Sequence, residues 1–257
     1  MSSQDPFMIF DWYFTDTSQR DSARYHALRD KPAETNVLMQ LKEADSIVHF
    51  ALGSELPDNH PVAELWLETQ TDLRATIYLA YGGFFRQALA VLRSWFEIAL
   101  LGVYFSDHYG QYNEKYEQWR RDERNAPANI SDLARALASR RDMVNVVEEA
   151  TILNRLEPIY SFLSRQIHGR GLDIYDLQRG RDNVPRYLSR SFDIWYGKVL
   201  EVFGALCFLY RAFFTREIAS YLVSTSEVDS AQRLSNSLSG TVPDFRNLMD
   251  DVITHIT

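Results

Sequence analysis

The sequence holds one cysteine, and only four of its 27 basic residues are lysine (Lys31, Lys42, Lys115 and Lys198). A lone cysteine excludes an intramolecular disulfide, and Cys207 lies in the apolar run "FGALCFLY", where a small core hydrophobe is the natural reading. The chain has no HExxH, no paired cysteine ligands, no glycine-rich phosphate loop and no nucleophile elbow, so no metal and no cofactor are expected. Strand-like alternation between hairpin turns is missing, and so is an internal repeat. The start, "MSSQDPFMIFDWYF", lacks the basic residues and continuous apolar region of a signal peptide, which points to the cytoplasm. Long uncharged apolar runs are absent too. Arg93 and Glu97 interrupt "ALAVLRSWFEIALLGVYF", and Glu201 and Arg211 interrupt "VLEVFGALCFLYRAFF". Each such charge costs about 2.5 to 3.5 kcal/mol at a bilayer centre, so both read as buried bundle helices and no membrane is expected. A net charge of -8 excludes a protein that coats nucleic acid by bulk electrostatics.

What is present is apolar periodicity at helical spacing. With 46% hydrophobic residues in 257, the chain can build a sizeable core, and the pattern predicts an all-α multi-helix bundle. Residues 1 to about 32 show no clear periodicity, although "FMIFDWYF" is too aromatic to remain in water. A first helix runs from Thr35 to "GSELPDNHP"; Pro61 opens "VAELWLETQTDLRATIYLAY", and Gly82-Gly83 ends it. A third helix spans about Phe84 to Phe105. "QYNEKYEQWRRDERN" reads as an exposed charged helix, and "NISDLARAL" as a helix capped by Ser131 or Asn129. "MVNVVEEATILNRLEPIYSFLSRQIH" is a long helix with a kink or break at Pro158. A further apolar helix covers about Ser191 to Thr215 and can continue through "REIASYLV". "STSEVDSAQRLSNSLSGTVPD" reads as loosely structured, before the amphipathic "FRNLMDDVITHI". The division is an N-terminal segment and first helix (1–61), a core (62–215) and a C-terminal appendage (216–257).

Two constellations can carry chemistry. Arg86, Arg93 and Glu97 are the only ionic residues between Phe84 and Phe105, and at about 100° per residue they share one stripe ~40° wide. Arg93 and Glu97 stand i,i+4 and can touch. The stripe can face solvent, form an inter-helix ion pair, or place Arg93 in a polar pocket with Glu97 orienting it. The second constellation is "YSFLSRQIHGRG", where Tyr160, Ser164 and His168 recur at i, i+4 and i+8 and Arg165 stands three residues from His168. These groups can simply finish a helix: cations favoured by the dipole, Ser164 bonded back to the preceding turn. They can equally serve RNA cleavage, with His168 moving a proton and a guanidinium neutralising charge on the phosphate. Residues 165 to 190 hold six arginines against three aspartates, and arginine's planar fork suits carboxylates and phosphates alike. His26, His49, His60, His108 and His255 are scattered, Glu148-Glu149 and Asp250-Asp251 read as solvated helix faces, and Trp66, Trp95 and Trp195 fall on core positions.

"GGFFRQALAVLRSWFEIALLGVYF" followed by "YSFLSRQIHGRG" resembles the helical bacterial HEPN-like proteins, with their "R-s-x-x-E" helix and later "Y-x-x-L-S-x-x-x-H-G". The matching positions are Arg93, Ser94 and Glu97, then Tyr160, Leu163, Ser164, His168 and Gly169, and the resemblance covers roughly residues 62 to 215. It implies a HEPN-like core with extra N- and C-terminal helices, a homodimer, and a toxin-antitoxin or phage-defence setting with a cognate antitoxin or defence-system protein as partner. It also implies metal-independent cleavage or binding of RNA, by Arg165, His168, Arg93 and Glu97, with Tyr160, Ser164, Arg170 and Arg86 holding substrate. In that group the catalytic Arg and His stand farther apart than Arg165 and His168 do here. A non-catalytic protein-interaction module and a helical sensor of a phosphorylated small molecule are the other readings of the same residues.

Overall fold

The computed structural model describes residues 6–55, 63–106, 113–121, 127, 129–167 and 186–256. Eleven helices and no strand occur among them, as an all-α bundle requires. α1 (Pro6–Asp30) and α2 (Pro32–Glu55) are separated by Lys31 alone. The Lys31 amide still donates to Ala27, and Pro32, which has no amide proton, begins the next helix with its φ already helical. α1 is thus helical although residues 1 to about 32 show no clear periodicity. Its buried contacts include Ala23 and Ala27, one turn apart and too small to write an apolar stripe.

α3 (Ala63–Tyr81) and α4 (Phe85–Phe105) fold back on each other across Gly82-Gly83. Gly83 has φ +82°, and a Cβ there would lie 2.8 Å from the backbone of Arg186, so both conformation and space demand glycine. Gly102 lets α4 close on α3: a Cβ would meet the Trp66 ring at 2.8 Å. α4 packs on α3, α7 (Glu149–Ile167) and α8 (Ser189–Phe213). Among the described helices it alone is long and apolar enough to cross a membrane, and it lies largely within the core.

α5 (Asn113–Arg120) is not fully exposed as expected, since Tyr116 is buried against Phe105. α6 (Ile130–Ala138) takes Asn129 as its cap, with Asn129 Oδ1 accepting from the Asp132 amide. α7 starts at Glu149 rather than near Met143 and runs through Pro158 without breaking. Pro158 and Asn154, whose carbonyl loses its partner, are both exposed, so water can replace the lost bond. α8 ends at Phe213, and α9 (Thr215–Thr225) is a separate helix after Phe214. α10 (Val228–Leu238) stands where a loose tail was expected: Ala231, Leu234, Ser235 and Leu238 form its buried stripe. α11 (Pro243–Ile256) is the last of the described helices. One continuous core, from Ala27 to Val252, draws residues from all three stretches into which the sequence divides. Trp66, Trp95, Trp195 and Cys207 lie within it, and burial raises the Cys207 thiol well above its ordinary pKa.

Candidate functional site

Arg93 leaves α4 toward α7. Its Nε donates to Glu97 Oε1 at 2.7 Å, its Nη2 donates to the Tyr160 hydroxyl at 3.3 Å, and its guanidinium carbon sits 5.2 Å from the Tyr160 ring centroid. The Arg93 side chain is 18% exposed and that of Glu97 38%. Burial works against the guanidinium charge, but Glu97 and Tyr160 outweigh it and hold the Arg93 pKa above its ordinary value. The pair is therefore neither a solvent stripe nor a sealed ion pair. Glu97 fixes the fork and Tyr160 spreads beneath it.

Tyr160 also lines a cavity of about 530 Å³ between the start of α6 and the last turns of α7. Asn129, Glu157, Ser161, Ser164 and Arg165 share that lining. Ser164 does not make the bond back to its own helix that the helix-end reading requires; its buried Oγ has no hydrogen-bond partner among the described residues. Arg165 is exposed at the rim. Arg86 is exposed near the start of α4, seven residues before Arg93, and does not line the cavity. His168 and Arg170 lie outside the described residues. The structure thus brings Arg93, Glu97 and Tyr160 into contact and sets Ser164 and Arg165 around the adjoining cavity.

Other polar groups escaped the sequence reading. Ser94, next to Arg93, turns the other way and hydrogen-bonds Asp72 of α3; burial holds the Asp72 pKa above its ordinary value, the Ser94 bond pulling it down and the Glu68 charge adding to the rise. Arg140, just after α6, is buried with Asp142, reaches the carbonyls of Val103 and Ser106 at the end of α4, and lies 4.3 Å from the Phe213 ring centroid. Asp250 is exposed, as a solvated face residue should be, while Asp251 is half-buried and takes Arg211 at 2.7 Å.

His49 is not stray either. Its Nδ1 lies 3.0 Å from Asp45 Oδ2 and its Nε2 3.2 Å from Thr69 Oγ1, all three residues buried. Thr69 Oγ1 also donates to the Trp66 carbonyl of its own helix at 2.8 Å. All three side chains are sealed from solvent, and the group is an interior tie between α2 and α3. The i,i+4 spacing of Asp45 and His49 was the available signal. No group of three or more metal-ligating side chains occurs among the described residues. No protein-family model, curated protein or solved structure matches the chain.

Proposed function

We propose that the α4–α7 face binds single-stranded RNA and, with His168, cleaves it without a metal. The observation that carries this reading is the Arg93 fork, held in place by Glu97 and Tyr160 behind a cavity with an unpartnered serine hydroxyl and the exposed Arg165. A guanidinium fixed before substrate arrives loses little entropy on binding, and it is suited to charge that builds on a phosphate. α7 also delivers the chain directly into the arginine-rich stretch after Ile167, which supplies further cations for a polyanion. In cleavage the ribose 2′-oxygen attacks phosphorus, the bond to the 5′-oxygen breaks, and one proton leaves the first oxygen while another reaches the second. In this reading His168 handles those protons. The working unit is a homodimer, and the setting is a bacterial toxin-antitoxin or phage-defence system.

The test is fluorescence anisotropy and gel analysis with labelled single-stranded RNA in chelator, alongside sedimentation. Arg165→Ala and Arg93→Gln weaken binding about tenfold, an effect that shrinks as salt rises. His168→Ala retains binding and abolishes cleavage. A wild-type protein that neither binds nor cuts RNA removes this reading and leaves a protein-interaction module whose partner is a cognate antitoxin or defence-system protein.

A further inference from the structure

A second recess, of about 350 Å³, opens between α1, α2 and α3, away from the α4–α7 face. Its construction repeats on each helix. α1 offers Arg24 with Leu28, α2 offers Lys42 with Met39, and α3 offers Arg74 with Tyr78, in each case a cation and an apolar side chain one turn apart. The apolar members are unusually open: Leu28 is 43%, Met39 59% and Tyr78 66% exposed. Arg20 adds a fourth cation to the lining, against the single carboxylate of Asp21, in a chain whose net charge is -8. Among the described residues no ion pair or hydrogen bond engages the head groups of Arg24, Lys42 or Arg74. Three cations without an ion-pair partner among the described residues stand around exposed apolar side chains, an arrangement that suits a ligand with both a charge and an apolar body.

We propose that this recess binds an amphipathic anion, an apolar body of small-molecule size carrying one carboxylate or phosphate. The volume lies at the lower end of small-molecule sites, and the lining has the composition such sites share: mostly apolar, with a few convergent polar groups. The apolar body lies against Leu28, Met39 and Tyr78, and the anionic head meets Arg24, Lys42 and Arg74. Arginine receives the head through two parallel hydrogen bonds and lysine as a point charge. None of these residues belongs to the α4–α7 face, so this site stands or falls separately from RNA binding.

Calorimetry on the full chain tests it with four probes: decanoate below its micelle-forming concentration, decyl phosphate, decanol and acetate. The first two bind. Decanol, lacking charge, and acetate, lacking a body, each bind at least about tenfold more weakly. Lys42→Ala with Arg74→Ala weakens decanoate binding by a similar factor, as does Tyr78→Ala, while Arg233→Ala on α10 changes nothing; circular dichroism establishes that each variant is folded. No decanoate binding, equal binding of decanol, or variants with wild-type affinity each overturn the proposal. So does a dimer dispersed by Met39→Asp, which would make this face a contact between two copies of the chain.

Discussion

Asp72 faces Ser94 from the adjoining helix with its carboxyl partly withdrawn from water, and burial, the first cause of its raised pKa, opposes ionisation more than the Ser94 bond favours it. Between the ordinary carboxylate value and the raised one, the folded chain binds a proton that the unfolded chain has released. Stability therefore falls as pH rises through that window and stays lower above it. Asp72→Asn is expected to raise Tm at pH 7, and the gain is expected to vanish below the ordinary carboxylate range, where Asp72 is protonated in both states. Thermal melts at the two pH values check this; a variant that melts lower at pH 7 would mean that the Ser94 bond outweighs burial. The Arg93–Glu97 contact was legible, since two opposite charges one turn apart on an apolar helix have few other choices. The serine between them was not. Its partner lies on another helix, and only the packing of α3 on α4 determines which way Ser94 turns.

At the scale of an element, the short stretch after α6 contributes more than its length suggests. Arg140 closes the end of α4 through the carbonyls of Val103 and Ser106 and pairs with Asp142 inside the protein. Arg140→Ala leaves a buried carboxylate and two carbonyls without their donor, and is expected to cost about 3 to 5 kcal/mol, measured by urea denaturation. A loss under about 1 kcal/mol would mark the pair as solvent-screened. Helices with large apolar residues at every turn, α2, α4 and α8, are plain in the sequence. α1 and α10 are not, because their buried positions include Ala23, Ala27, Ala231 and Ser235, which give almost no hydrophobic signal. The α7 cavity was legible only as residue types. That Ser164 and Arg165 line a cavity depends on α6, whose position relative to α7 no local pattern records.

The whole molecule is laced together by its two ends. Ser237 of α10 donates to Gln40 of α2 at 2.9 Å, Ser220 of α9 donates to Glu55 at 2.6 Å, and α2 packs along both helices. Truncation after Thr225 removes α10 and α11 and uncovers part of the single core, including the α8 face that carries Phe203 against Phe245. The shortened chain is expected to lose its near-ultraviolet circular dichroism and cooperative melting; retention of both would show that residues 1–225 hold the core without these helices. The same lacing sets the order of events during synthesis. Gln40 and Ser237 are 197 residues apart, and at ~5 to 20 residues per second the ribosome takes roughly 10 to 40 s to travel from one to the other. Throughout that interval the part of α2 that α10 covers is without that covering, open to chaperones and proteases. Completion of the fold is therefore timed by the arrival of the last helices, and synonymous changes that slow the ribosome after α2 will lengthen its exposure without altering a single residue.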